Sequence, residues 1–281
     1  MNRDQFDTII KTKTGLFDID LKEIWQYKDL IILFVKKTFA IRYKQTILGP
    51  LWFIINPLLT TIIFTIVFGK IAKIPTNGVP EFLFYMAGNT VWSFFSACIS
   101  QTSNTFVSNA YLFGKVYFPR LTVPISNIIG EMLNFGMNTA LFLCFFAYFI
   151  IKGSQIHANW WLLYIPIMIF QISMLALGFG IIVSSLTTKY RDLTVLVGFG
   201  LQLWMYATPI VYPLSEVPEK IKPLIIYNPM TSAVETFKYA FFSTGSVSVT
   251  GIAYSWLLTV AIMAIGILLY NKIEKTFMDT V

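Results

Sequence analysis

One acidic side chain in the middle of a long apolar run is the first feature that could support chemistry. Glu131 lies well inside the run 121–151, with Asn127 before it and Asn134 and Asn138 after it. Spacings of four, three and four residues place these side chains along one face of a helix. The stripe predicts either hydrogen bonds between helices or the lining of a passage for a polar substrate.

Other apolar runs carry amides as well, and two deep aromatic rings accompany one of them. Trp204 and Tyr206 lie near a proline-rich turn. Rings with a polar edge are suited to packing against sugar faces while bonding hydroxyls, although interfacial belts explain most aromatic residues of such a chain. The candidate passage-lining residues are Asn56, Glu131, Asn134, Asn138, Gln202, Trp204 and Tyr206.

No catalytic or metal-ligating set is expected in this chain. His157 is the single histidine, and one histidine cannot build a metal site or a relay by itself. Cys98 and Cys144 lie inside apolar runs and behave there as small hydrophobes. No GxxxxGK[ST] phosphate loop occurs, so binding of ATP in the P-loop manner is not expected.

The composition is that of a membrane protein. Of 281 residues, 56% are hydrophobic and only 12% are charged, whereas soluble domains carry about 25% charged residues. The net charge of +7 comes from cations that flank apolar runs. These cations are typical of topology signals and lipid-headgroup contacts, so no nucleic-acid partner is predicted.

Six runs approach the length of about 20 residues that crosses the hydrocarbon core. The third run is too long for one straight crossing and is predicted to tilt, kink or extend beyond the bilayer. With a cytoplasmic N-terminus, the inner segments hold 15 Lys and Arg and the outer segments six, which favours both termini inside. The predicted spans are 50–69, 82–102, 121–151, 161–186, 193–212 and 252–271.

The N-terminal segment 1–49 contains a predicted amphipathic helix. From Leu21 to Phe39, apolar residues recur at helical intervals beside a basic polar side, a pattern typical of a helix in the membrane interface. Gly49-Pro50 then offers a turn into the transmembrane domain 50–281. A simple anchoring collar is the alternative interpretation.

Proline and glycine mark two further features. Five of the twelve prolines lie from Pro209 to Pro229, and we predict short helices there that dip back from the outer face. An ordinary extracellular loop is the alternative. The triplet GFG occurs at 178–180 and 198–200, where glycine favours close helix packing.

Several longer motifs resemble those of a known family. They are "RYKQTILGPLWFIINPLLTTIIFTIVFGKIAKIP", "TSNTFVSNAYLFGKVYFPR", "KYRDL", "ATPIVYP" and "YNPM". Together they resemble the permease subunit of type-2 ABC exporters, specifically those that export lipid-linked polysaccharides such as O-antigen. The resemblance covers nearly the whole chain from about Trp25 onward.

The resemblance implies an all-α, polytopic protein of the bacterial inner membrane that performs no covalent chemistry. It implies six spans, an interface helix, and two short re-entrant helices between the fifth and sixth spans. The permease is expected to form a homodimer and to work with two copies of a separate subunit that binds ATP and Mg²⁺. The first and fifth spans are expected to line a passage at the dimer interface.

The resemblance also assigns one cytoplasmic region. The segment Asn104 to Arg120 is expected to dock into the ATPase, with its aromatic rings in an apolar cleft and its cations at an acidic rim. A separate hypothesis, based on charge and guanidinium chemistry, is that the residues next to the first span attract the pyrophosphate of a lipid carrier. The docking residues are Phe106, Tyr111, Phe113, Gly114, Lys115, Phe118 and Arg120, with Pro119 shaping the turn; the headgroup residues are Arg42, Tyr43 and Lys44.

Three other functions compete with this interpretation. A related exporter of drugs or lipids would share the architecture. A membrane-embedded transferase would need a cluster of nucleophile, acid and base, which Glu131 and His157 do not supply. A structural scaffold would bind no ATP-hydrolysing partner.

Overall fold

The structure is a computed structural model that describes residues 21–43, 49–190, 192–245 and 247–280; of these, the side chains of Leu21, Arg42, Tyr43, Pro50 and 273–280 are not described. Every regular element in these ranges is helical, as predicted. The α-helices are α1 Leu21–Gln26, α2 Lys28–Tyr43, α3 Trp52–Phe64, α4 Glu81–Ser103, α5 Thr105–Ser108, α6 Ala110–Phe113, α7 Thr122–Ile151, α8 Ile165–Thr187, α9 Leu193–Tyr206, α10 Lys222–Ile226, α11 Pro229–Phe242 and α12 Val249–Thr280.

Five helical segments in the described ranges are long and apolar enough to cross a membrane. They correspond to the first, second, third, fourth and sixth predicted spans. One of them, α7, has 30 residues and is therefore about 45 Å long, which exceeds the hydrocarbon thickness of about 30 Å. The five segments are Trp52–Ile71, Glu81–Ser103, Thr122–Ile151, Trp160–Thr187 and Val249–Lys272.

The fifth predicted span is shorter than the sequence indicated. Helix α9 has 14 residues and a length of about 21 Å. It ends at Tyr206, six residues before the predicted end, and Pro209 and Pro213 follow it in a run of turns. Proline removes the backbone donor that a longer helix would need. The count of six spans therefore stays a prediction.

Two short helices, α10 and α11, occupy the proline-rich region where short helices were predicted. Asn228 begins α11, and its side chain accepts a hydrogen bond from the backbone N–H of Met230 at 3.0 Å. Helix α11 then packs against α4 and α12. That α10 and α11 re-enter a membrane from the outer face stays a prediction.

The described part of the N-terminal segment, residues 21–43, is helical as predicted, in two pieces that meet at Tyr27. Helix α2 packs along α7. Ile24 and Ile31 are buried against the rest of the chain, whereas Trp25 and Ile32 are exposed. One side of the segment therefore belongs to the protein core, and a second apolar side remains for the membrane interface.

Helices α4 and α8 form the centre of the bundle, and α8 also packs closely on α12. A Cβ on Gly266 would lie 2.9 Å from the carbonyl oxygen of Gly178. The first GFG triplet therefore permits close packing, as predicted. The bundle has an "α2 end", where α1, α2 and residues 104–121 lie, and an "α11 end", where α10 and α11 lie.

Candidate polar pocket and α2-end cluster

A cavity of about 340 Å³ lies between α3, α4 and α7. We call it the polar pocket. It brings together four of the predicted passage-lining residues, from two separate spans. The other lining residues were not among those predictions. The lining is Trp52, Phe53, Asn56, Pro57, Ser93, Phe94, Ala97, Glu131, Asn134, Phe135 and Asn138.

Glu131 is the only charged side chain in the described lining of the polar pocket. It is only 4% exposed, and the amide Nδ2 of Asn134 donates a hydrogen bond to its Oε2 at 2.6 Å. The Oδ1 of Asn134 is buried and accepts no hydrogen bond. A buried acceptor without a donor costs free energy, so this wall favours a hydrogen-bond donor in the pocket.

The polar stripe on α7 divides between the two predicted roles. Asn127 Nδ2 donates to the backbone oxygen of Gln101 at 3.2 Å and to Oγ1 of Thr105 at 3.3 Å. It therefore ties α7 to α4 and α5. Glu131, Asn134 and Asn138 instead face the polar pocket. Hydrogen bonding between helices is the role of the first residue, and cavity lining is the role of the other three.

A narrower cleft continues from the polar pocket to α2. Glu131 and Asn134 line both spaces. On the far side of the cleft lie Val35, Thr38 and Phe39 of α2. The polar wall of α7 therefore faces α2 toward one end of the bundle and α3 deeper within it.

The remaining predicted passage residues lie on α9 and do not line the polar pocket. The Trp204 ring packs edge-on against Phe95, with the ring centroids 5.1 Å apart, and its Nε1 donates to Asn228 Oδ1 at 2.9 Å. Gln202 and Tyr206, on another side of α9, are exposed. Within one chain the seven residues lie in separate regions, and a passage between two copies that all seven line stays a prediction.

Asn228 is a structural residue that the sequence reasoning missed. Besides capping α11 and accepting from Trp204, its Nδ2 donates to the backbone oxygen of Ala207 at 3.0 Å and to Thr208 Oγ1 at 2.9 Å. These bonds join the end of α9 to the start of α11. The motif YNPM held the signal, since Asn before Pro is a frequent helix N-terminus.

The predicted docking segment folds back onto its own chain. Phe106, Phe113 and Phe118 are all buried within their own chain, and the entry of these three rings into a cleft on a partner stays a prediction. The backbone N–H of Phe106 donates to Ser184 Oγ of α8 at 3.1 Å. The rings form what we call the α2-end cluster with Ile24, Ile31, Leu121, Val123, Ile181 and Tyr270.

This cluster joins the docking segment to both ends of the chain. Phe118 lies 5.9 Å from the Phe34 ring of α2, and Phe106 stacks on Tyr270 of α12 at 5.9 Å between centroids. Arg120 lies 5.9 Å from the Phe113 ring, so it also belongs to the cluster. Burial of these rings is favourable because a compact aromatic segment in water would expose a large apolar patch.

The opposite face of the docking segment is exposed. Tyr111 is 75% exposed, and the Nζ of Lys115 lies 3.9 Å from the centroid of its ring. Val116 and Tyr117 are exposed as well, and the Tyr117 hydroxyl donates to Glu23 Oε1 at 3.3 Å. Tyr111, Lys115, Val116 and Tyr117 form what we call the outer docking face.

Two other predictions have limited structural counterparts. The side chains of Arg42 and Tyr43, and all of Lys44, lie outside the described residues, so headgroup capture there stays a prediction. Among the described residues, no group of three or more His, Cys, Asp and Glu side chains is placed to hold a metal ion.

Comparison with known proteins places this bundle in a family. The family described as ABC-2 type transporter matches residues 29–242. An O-antigen export system permease protein RfbA from Klebsiella pneumoniae is 29% identical over 252 residues, which cover 89% of this chain and 94% of the relative. The protein of the same name from Myxococcus xanthus is 28% identical over 226 residues, or 79% and 84% of the two chains. Because the match extends over most of the bundle, the chain belongs to the ABC-2 type transporter family.

Proposed function

We propose that this chain is the membrane-spanning subunit of an ATP-driven exporter of lipid-linked polysaccharide such as O-antigen, acting in the bacterial inner membrane. The observation that carries the proposal is the similarity to O-antigen export permeases over 89% of the chain. The five membrane-length helices support a multi-pass subunit. ATP and Mg²⁺ bind to a separate subunit in this proposal, present in two copies, and the chain itself is not an enzyme.

The outer docking face is the proposed contact with the ATPase. Tyr111 and Lys115 are exposed on it, and an exposed aromatic ring beside a cation suits an apolar cleft with an acidic rim. The buried rings of the α2-end cluster then transmit the movement of the docking segment to α2 and α12. In this proposal the surface residues bind the ATPase, whereas the buried rings stay within the chain and transmit the movement.

A second copy of the chain is proposed to pack against α9. Gln202 and Tyr206 are exposed on this helix, and an amide facing hydrocarbon is costly unless another helix covers it. A Cβ on Gly198 or Gly200 would meet no atom within 4 Å, which leaves room for a close helix contact. The proposed passage lies between the two copies and is lined by α3 and α9, with Gln202 and Tyr206 as its polar groups.

The cations at 42 and 44 are proposed to attract the carrier pyrophosphate at the start of this passage. Guanidinium groups favour bidentate contacts with phosphate oxygens. Their position in sequence directly before the first span places capture next to α3. Movement of the α2-end cluster would then be transmitted through α2 to the captured lipid.

Deletion of the chain in its host cell tests the proposal. We expect surface polysaccharide to disappear while lipid-linked glycan accumulates on the cytoplasmic side, and restoration of the chain to reverse both. Purification of the tagged chain in mild detergent should yield an ATP-binding polypeptide in equal amount. Unchanged surface polysaccharide after deletion, or a chain that purifies alone with transferase activity, would refute it.

A further inference from the structure

The polar pocket has a composition that the need for helix packing does not explain. Each of the three helices supplies both an aromatic and a polar side chain to it: Trp52 and Asn56 from α3, Phe94 and Ser93 from α4, and Phe135 with Glu131 from α7. Its volume of about 340 Å³ falls within the range of about 300–1,000 Å³ found for small-molecule sites.

The pocket lies in the half of the bundle nearest the α2 end. Asn56 is four residues from the start of α3, and Glu131 is nine residues from the start of α7. At 1.5 Å per residue these positions are about 6 Å and about 14 Å along their helices. The adjoining cleft reaches α2 through Thr38 and Phe39. A ligand arriving from the α2 end therefore meets this pocket before it meets α11.

The hydrogen-bonding groups of the wall call for a ligand rich in donors. The carboxylate of Glu131 and the unpartnered Oδ1 of Asn134 are acceptors. A lipid tail would bring no donor to the buried Oδ1 of Asn134. A phosphate would bring further acceptors, and the described lining contains no Lys or Arg to receive it. Sugar hydroxyls donate to carboxylates and amides, while the C–H faces of the ring pack on aromatic side chains.

We infer that the polar pocket of each protomer is a sugar-binding site that holds one or two residues of the glycan, separate from any passage between protomers. This inference rests on the proposed function. Glu131 and Asn134 accept hydrogen bonds from the sugar hydroxyls, and Trp52 and Phe94 pack against the ring faces. The site recognises the hydroxyls and ring faces of the sugar, whereas the carrier pyrophosphate is bound elsewhere.

Cysteine protection tests this inference in the assembled complex. Ser93 lines the pocket, and Ser96, on the same helix and equally half-buried, does not. Ser93→Cys and Ser96→Cys are made with the exposed Cys144 replaced by alanine, and labelling by a small maleimide is followed in membranes. The probes are polyprenyl-diphosphate-linked glycan extracted from the host and the same carrier lipid without sugars.

We expect the lipid-linked glycan, at about ten times its Kd, to slow labelling at Ser93→Cys about tenfold and labelling at Ser96→Cys little. The sugar-free carrier should protect neither position. Adding Glu131→Gln should raise the glycan concentration needed for protection by about tenfold or more, the loss expected for a charge-assisted hydrogen bond.

Two results would overturn the site while leaving the proposed function intact. Equal protection by the sugar-free carrier would make the pocket a lipid site. Absence of protection by either probe, in a complex whose wild-type form exports glycan, would place the sugar elsewhere. Failure of the wild-type complex to export glycan would instead reject the proposed function itself.

Discussion

Two buried charges, Glu131 on α7 and Lys238 on α11, occupy opposite kinds of environment. Lys238 is 3% exposed, and its Nζ donates to the backbone oxygens of Pro209 and Ile210 at 2.6 and 3.3 Å. The same Nζ lies 3.6 Å from the centroid of the Phe84 ring. Glu131 is almost equally buried, at 4% exposed, but it borders a cavity of about 340 Å³.

The difference separates a charge that is buried against backbone carbonyls from a charge that borders a cavity. Lys238 satisfies carbonyls that follow α9 and so joins α11 to the end of that helix. Its burial lowers the pKa of the ammonium group to about 8, and the nearby carboxylate of Glu235 opposes this effect. Glu131 stands beside an acceptor without a donor and beside open space. Burial alone therefore does not distinguish a functional charge from a structural one. A cavity beside the charged side chain is the better indicator.

The largest effect is expected from Lys238→Met. The substitution leaves the Pro209 and Ile210 carbonyls without a donor, at about 1–3 kcal/mol for each buried group. The amount of folded complex and its melting temperature in detergent should both fall sharply. Lys220→Met, which alters an exposed lysine near the same end, is the control. Equal melting temperatures for the two variants would show that Lys238 is not structural.

Glu131→Gln is expected to affect transport more than stability. Glutamine keeps an oxygen that can accept from Asn134, so the melting temperature should change much less than in Lys238→Met. Loss of a charged acceptor at the pocket is worth about 1.5–3 kcal/mol, and export rate at limiting glycan should fall about tenfold or more. If Glu131→Gln instead lost much stability but exported normally per folded complex, Glu131 would be a structural charge.

Asn138→Ala provides a smaller change within the same pocket. One lining amide is removed, and a neutral hydrogen bond is worth about 0.5–1.5 kcal/mol, so export should fall about threefold to tenfold. Asn127→Ala is the matched control on the same helix, because Asn127 bonds to α4 and α5. That variant should lose stability instead. Identical behaviour of the two variants would contradict the division of the stripe.

A final prediction is a pH dependence of stability at Lys238. In the folded chain its pKa is about 8, below the value of about 10.4 for an exposed lysine. Between these values the unfolded chain binds more protons, so the unfolding free energy should rise with pH. The stability advantage over Lys238→Met should therefore grow between about pH 8 and about pH 10.4. An advantage independent of pH would indicate an unshifted lysine.

The helices and the stripe on α7 were accessible from sequence because they are local patterns. Apolar length predicted five of the six spans, and spacing placed Glu131, Asn134 and Asn138 on one face. The end of α9 was missed because apolar residues continue through Ala207 to Tyr212 although the prolines end the helix. The burial of Phe113 was missed because an aromatic residue between two spans has the same sequence signature whether it packs within its own chain or against a partner.

By itself, the sequence determined a multi-pass helical protein with an acidic residue deep in one span, since hydropathy and helical period act over neighbouring residues. Only the tertiary structure decided which polar residues share a space. Asn56 and Glu131 are 75 positions apart, and they meet because α3 and α7 pack on the same side of α4. Trp204 and Gln202 are only two positions apart on α9. Their side chains nevertheless lie on different faces of the helix, so Trp204 packs within the bundle and Gln202 is exposed.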